Sequence, residues 1–170
     1  MANPLRINTV ELVRRQGNER LLDVTVPFEF FDVVDDRIAP NEPVHVLVRV
    51  DSLNDGLVVN GTIGTSWHGS CRRCAIDVAG ELCAQVDERY QQHATDPDAI
   101  EFDGEQVDLV PMVRELILLE APATPLCRED CRGLCPTCGT DLNTGSCGCM
   151  APPPSPRWAA LDQLKTDLHD

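Results

Sequence analysis

From residue 44 to residue 50, Val44, Val46, Val48 and Val50 alternate with His45, Leu47 and Arg49. A period of two sends successive side chains to opposite faces, so this run predicts a strand buried on one side. Leu57, Val59, Ile63 and Trp67 hold the same phase after Asn54-Asp55-Gly56, whose residue types suit a tight turn, and the two strands are expected to form a hairpin. A third run, Ala75 to Tyr90, sets Ile76, Val78, Leu82, Ala84 and Val86 against Asp77, Glu81, Gln85 and Asp87, with Cys83 in the polar phase. It predicts a second hairpin, turning at Cys71-Arg72-Arg73-Cys74. Upstream, Arg20 to Pro27 reads as a further strand.

Helical spacing occurs in three places. Val10, Leu12 and Val13 predict a short helix over Thr9 to Arg15, capped by Asn8 or Thr9 and stopped by Gly17. Asp108 can cap a helix running to about Leu119, with Val110, Val113, Leu116, Ile117 and Leu119 as its apolar face and Pro111 in its first turn. This helix is expected to cover the sheet, and Pro122 and Pro125 to end it. After the stiff Pro152-Pro153-Pro154, Ser155-Pro156 starts a last helix with Trp158, Leu161, Leu164 and Leu168 as its stripe, read as docking on its own body rather than on another protein. Thr95 to Asp108 holds six acids and no base, and reads as a mobile acidic loop, either solvated or gripping a basic partner.

The expected fold class is therefore α+β: an antiparallel β-sheet or partly open barrel covered by one main helix, with a cysteine-rich zinc-binding C-terminal segment and a short terminal helix. Residues 1–126 would form the β-rich body with its covering helix, 127–150 the cysteine-rich segment and 151–170 the spacer and last helix, within a single structural domain. The hydrophobic share of 42% argues against wholesale disorder, while aromatics at 4% make a metal staple useful to a small core. The opening residues lack the apolar stretch of a signal peptide, and no run is long enough to span a bilayer, which predicts a cytoplasmic protein without membrane insertion.

That compartment changes how the nine cysteines are read. In reducing surroundings disulfides are disfavoured, and short Cys-Cys gaps instead let a turn aim two thiolates at one soft cation. Cys135-Pro136-Thr137-Cys138-Gly139 has the form of a zinc knuckle, and Cys147-Gly148-Cys149 can fold back to complete a local set of four. Cys71 and Cys74 would then share a second ion with Cys127 and Cys131, closing a loop of about fifty residues. A rival grouping joins Cys127 and Cys131 to Cys135 and Cys138, leaving Cys71, Cys74, Cys147 and Cys149 for the other ion. A third leaves a single zinc and spare thiols. Closed all-thiolate sites are structural, because catalytic zinc keeps an open position.

Arg72, Arg73, Arg128 and Arg132 interleave with the proposed ligands. They either neutralise thiolate charge or form a small positive platform for RNA phosphates on a chain whose formal charge of −14 repels nucleic acid as a whole. Unpaired Cys83 reads as a packing residue, and His45, His68, His93 and His169 share no ligand spacing. No phosphate-cradling loop or nucleophile elbow is present, so neither an enzyme nor a small-molecule substrate is expected.

Three stretches together resemble the YceD family, the large ribosomal RNA subunit accumulation proteins. They are Cys71-Arg72-Arg73-Cys74, the helix opening Val107-Asp108-Leu109-Val110-Pro111-Met112-Val113-Arg114-Glu115, and the segment from Leu126 to Gly139. Leu12-Val13-Arg14-Arg15-Gln16-Gly17 and Pro156-Arg157-Trp158-Ala159-Ala160-Leu161 extend the likeness, while Cys83 and Ser155 depart from it. The resemblance implies a non-enzymatic factor for large-subunit ribosomal RNA accumulation and ribosome biogenesis, with ribosomal RNA or a large-subunit ribosomal protein as partner. It also permits an alternative, a protein-interaction regulator of a partner enzyme, for example in phospholipid synthesis, that does not bind RNA.

Overall fold

The structure is a computed structural model that describes residues 3–15, 17–94 and 96–150. The helix expected after Ser155 lies outside the described residues.

Nine residues of β2 (Glu19–Pro27) pair antiparallel with β3 (Pro43–Ser52), which pairs antiparallel with β4 (Leu57–Ser70). β4 forms a long hairpin with β5 (Asp77–Gln91), and the two-residue β6 (Ile100–Glu101) adds to β5 in parallel. The five-stranded sheet stays open, with β2 and β6 at its edges. A second, two-stranded sheet joins β1 (Arg6–Asn8) to β7 (Gln106–Asp108). Two helices, α1 (Val10–Val13) and α2 (Val110–Glu120), and a 3-10 turn at Phe28–Phe31 complete the elements among the described residues.

The valine alternation sets the core. Val44, Val46, Val48 and Val50 are at most 1% exposed, and each contributes roughly 1.5–3 kcal/mol relative to an exposed position. Leu57, Val59, Ile63, Leu82, Ala84 and Val86 carry the same buried face across β4 and β5. Met112, Val113 and Ile117 of α2, with Leu5, Ile7, Phe28 and Phe31, join them in the same core. Mid-strand Gly61 has a positive φ of 157°, and a Cβ there would collide with the Leu47 carbonyl oxygen of the neighbouring strand.

Several details depart from the alternation. The first helix covers only Val10–Val13, and Thr9 stands at its cap without a side-chain capping bond, its hydroxyl donating instead to the Gly104 carbonyl oxygen (3.1 Å) while Asn8 Oδ1 accepts the Val10 N–H (3.1 Å). Leu119 is 71% exposed: two positions beyond Ile117 is about 200° around a helix, on the opposite side. Ile76 is exposed because it sits in the turn beyond the sheet. The acidic stretch is not simply a loop. It supplies β6 and β7 and buries Phe102 and Val107, held by pairing with β5 and β1 rather than by local pattern.

Two arrangements carry the fold toward its chemistry. Pairing of β3 with β4 ends at His45 and Gly64, whereas β4 and β5 continue pairing to Ser70 and Asp77, so the hairpin projects past the sheet with Cys71 to Cys74 at its tip. At the base of this arm the Arg37 guanidinium donates to the carbonyl oxygens of Ala121 (2.6 Å) and Leu118 (3.3 Å), satisfying the end of α2, while Asp35 accepts from it at 2.7 and 2.8 Å.

Candidate metal centres

Two turns are built on one plan. The Cys71 N–H donates to the Ile76 carbonyl and the Ala75 N–H to the Cys71 carbonyl, both at 2.8 Å. Sixty-four positions later, the Cys135 N–H donates to Thr140 (2.8 Å) and the Gly139 N–H to Cys135 (2.9 Å). In each, the residue after the second cysteine is left-handed, with φ of 60° at Ala75 and 73° at Gly139. This conformation curls the chain so that both sulfurs of a Cys-x-x-Cys face the same side, and Gly adopts it without the steric penalty that Ala incurs.

Each turn meets a second cysteine pair. Cys71, Cys74, Cys127 and Cys131 form one quartet and Cys135, Cys138, Cys147 and Cys149 another, the sulfurs within each set lying within 4.8 Å of one another. Across the first, Cys71 Sγ is 3.8 Å from Cys131 Sγ and Cys74 Sγ 3.7 Å from Cys127 Sγ. These separations exceed the S–S bond length of about 2.05 Å, but match the edge of about 3.8 Å of a tetrahedron with metal–sulfur bonds of about 2.3 Å. Both quartets could therefore hold a metal ion. The rival grouping of Cys127 and Cys131 with Cys135 and Cys138 does not form.

The electrostatics within each set are uneven. Burial works to raise the Cys71 thiol, yet N–H donors from Cys127, Arg73 and Cys74 bring it down to about 6. Cys135, facing the N–H groups of Cys138 and Thr137, also falls to about 6. Their neighbours move the other way: burial and the adjoining thiols push Cys127 up to about 12, and the Cys138 thiol pushes Cys149 up to about 12. Cys138, bonded to the Thr140 hydroxyl, is lowered as well, while the thiols raised beside these sulfurs resist ionising, so four anionic sulfurs side by side require a cation among them.

Surrounding residues hold the quartets in register. The Arg73 guanidinium donates to the carbonyls of Cys131 (2.7 Å) and Glu129 (3.1 Å), and its own carbonyl accepts the Leu134 N–H (3.0 Å). Gly133, left-handed at φ 74°, lies so close that a Cβ would press to 2.8 Å from the Arg73 oxygen. Arg128 Nη2 donates to Asn143 Oδ1 (2.8 Å), and Arg128 Nε lies 3.2 Å from Asp130. Of the four arginines singled out from sequence, Arg73 and Arg128 thus brace the cysteine segment. Arg72 and Arg132 are exposed, with no side-chain hydrogen bond among the described residues.

Asn143 carries no signal in the sequence beyond its place in a turn. Its Oδ1 also accepts the Arg132 N–H (2.8 Å), and its Nδ2 donates to Asp141 (2.7 Å) and toward Cys131 Sγ (3.6 Å). His68 joins neither quartet, and Cys83, expected to pack, is instead exposed on the polar face of β5. Among the described residues no helix is long and apolar enough to cross a membrane.

Comparison with known proteins agrees on the region that holds this chemistry. The family model described as Large ribosomal RNA subunit accumulation protein YceD matches residues 59–165, which include all eight clustered cysteines. An uncharacterized protein of Mycobacterium tuberculosis is 30% identical over 180 residues, covering 96% of this chain and 83% of that protein. The Zea mays chloroplastic large ribosomal RNA subunit accumulation protein YCED homolog 1 is 34% identical over 82 residues, covering 48% of this chain and 25% of that protein. The uncharacterized protein YlbN of Bacillus subtilis is 29% identical over 147 residues, covering 84% of this chain and 86% of that protein. No solved structure matches the chain.

Proposed function

Since this chain belongs to the YceD family of large ribosomal RNA subunit accumulation proteins, we propose that it acts without catalysis in large-subunit ribosome biogenesis, as a zinc-stabilised body that contacts ribosomal RNA or a ribosomal protein. Cys71, Cys74, Cys127 and Cys131 would hold one ion and Cys135, Cys138, Cys147 and Cys149 the other. Zinc in such a site supplies closed, redox-inert coordination, and the four-sulfur donor sets suit it. With every ligand a thiolate and none left over for water or substrate, the role of the ions is to fix shape.

The observation that carries the RNA contact is the freedom of Arg72 and Arg132. On a chain of formal charge −14, two exposed guanidinium groups beside a quartet, with no acceptor among the described residues, form a local exception to the overall repulsion. Arg73 and Arg128 support the backbone that presents them. The test is filter binding of the purified protein to large-subunit ribosomal RNA fragments across a salt series. Arg72→Ala/Arg132→Ala is expected to weaken binding and to flatten the salt slope, while Lys at both positions restores much of each. In cells, depletion is expected to lower large-subunit ribosomal RNA relative to small-subunit RNA. An unchanged ratio contradicts the biogenesis role, and unchanged binding by the double Ala variant places the RNA contact elsewhere.

A further inference from the structure

Away from the cysteines, the chain between the 3-10 turn and β3 encloses a cavity of about 550 Å³. Its floor is apolar, with Phe28 and Ile38 buried beneath Val33 and Ala39, and Val34 stands at its lip 92% exposed. Its rim is acidic. Glu29, Asp32 and Asp36 are all exposed and have no ion-pair partner among the described residues, whereas Asp35, also at the rim, is occupied by Arg37. A second cavity of about 660 Å³ shares Asp36 and His68 with the first and runs along the projecting hairpin past Asp77. The two together form a trough that leads toward the tip of the arm, negative at its edges apart from Arg37, whose charge is taken up by Asp35.

We propose that this trough is a docking site for a basic peptide segment that carries an apolar anchor. The charge identifies the occupant. An apolar side chain over Phe28 and Ile38 would remove water from the floor and from Val34, while lysines or arginines flanking it would meet three carboxylates that have no cation of their own. The chain's own last residues suit the site poorly: residues 151–170 contain Arg157 and Lys165 against Asp162, Asp167 and Asp170, so they are acidic by one charge. Nucleic acid is repelled by the same rim. The site shares no residue with either quartet or with Arg72 and Arg132, so its failure and the failure of the RNA contact are separate results.

The test is fluorescence anisotropy of the full chain with a labelled synthetic peptide of alternating arginine and leucine, using a glutamate–leucine peptide as control. The arginine peptide is expected to bind, with affinity falling as salt rises, and the control is expected not to bind. Glu29→Gln/Asp32→Asn/Asp36→Asn, which keeps shape and the left-handed tolerance needed at Asp32 (φ 50°), is expected to weaken binding at least tenfold at low salt. Val34→Ser, at a side chain too exposed to support the core, is expected to weaken binding several-fold without altering the salt slope. Absence of arginine-peptide binding, equal binding of the control, or full affinity in the triple variant would each overturn the proposal.

Discussion

Asn143 Nδ2 donates toward Cys131 Sγ across 3.6 Å, so a residue in the loop of one quartet reaches a sulfur of the other. The same side chain takes the Arg132 N–H and the Arg128 guanidinium on its oxygen and fastens itself to Asp141. The two quartets are therefore mechanically one unit. Asn143→Ala is expected to destabilise the protein by about 1–3 kcal/mol, the range for leaving partly buried polar groups without partners. Asn143→Asp is expected to do more harm, since a carboxylate would face both Asp141 and a sulfur. Urea unfolding of the metal-loaded protein measures both, and wild-type midpoints would show that the bridge contributes nothing.

Removal of one pair separates the sites. Cys71→Ser/Cys74→Ser is expected to lower the bound zinc from two ions to one in native mass spectrometry, with the Cys135 to Cys149 set still loaded. It should also lower stability far more than Cys147→Ser/Cys149→Ser, because the first quartet ties together residues 60 apart in sequence. An equal loss of stability in the two variants would contradict that difference.

The paired turns allow a reciprocal exchange. At φ 60° Ala75 sits in the left-handed region at a cost that Gly139 avoids, so Ala75→Gly is expected to stabilise by about 0.5–1 kcal/mol and Gly139→Ala to destabilise by about 1 kcal/mol or more. Chemical denaturation reads both signs, and a destabilising Ala75→Gly would show that the turn relaxes around its methyl group.

Acid should act through Asp35. Its hydrogen bond with Arg37 holds the carboxyl below the usual carboxylate range, against the opposing effect of burial. A depressed folded-state value means the stabilisation is fully present above the unfolded-chain value near pH 4 and is lost as pH falls through the folded value. Asp35→Asn is expected to destabilise at pH 7 and to differ little from wild type near pH 2. Arg37→Ala, which also strips the donor from Ala121 and Leu118, is expected to cost roughly 2–3 kcal/mol at neutral pH. A pH-independent gap between wild type and Asp35→Asn would rule out the ionic contribution.

What could be read in advance was whatever local pattern controls. The alternation at Val44 to Val50 placed a strand and its buried face, and the matching phase from Leu57 gave the hairpin, because side-chain direction in a strand depends only on parity. The start of α2 was placed one residue early: Leu109, not Asp108, holds the capping position, while Asp108 ends β7 and its Oδ1 accepts the Val110 N–H at 3.0 Å from outside the helix. Residues 100–101 and 106–108 were opaque, since strands so short have no period and exist only through partners far away in sequence.

At the cysteines, spacing favoured local pairs but left their grouping open. What brings Cys71 toward Cys131 is the overrun of β4 and β5 beyond the sheet, a property of strand register rather than of any motif. Arg37 and Asn143 were silent for the same reason. Each lies in a stretch without periodicity and acts through carbonyls or sulfurs that only the folded chain places within reach.

The distance along the chain between ligands also sets an order of events. The Cys135 to Cys149 set lies within one short segment and could capture an ion while the rest of the polypeptide is still unfolded. The other set cannot exist until the long hairpin has paired and α2 has carried Cys127 to its tip, so its occupancy would report that the molecule is finished. A chain with one ion and a chain with two would then be chemically distinguishable.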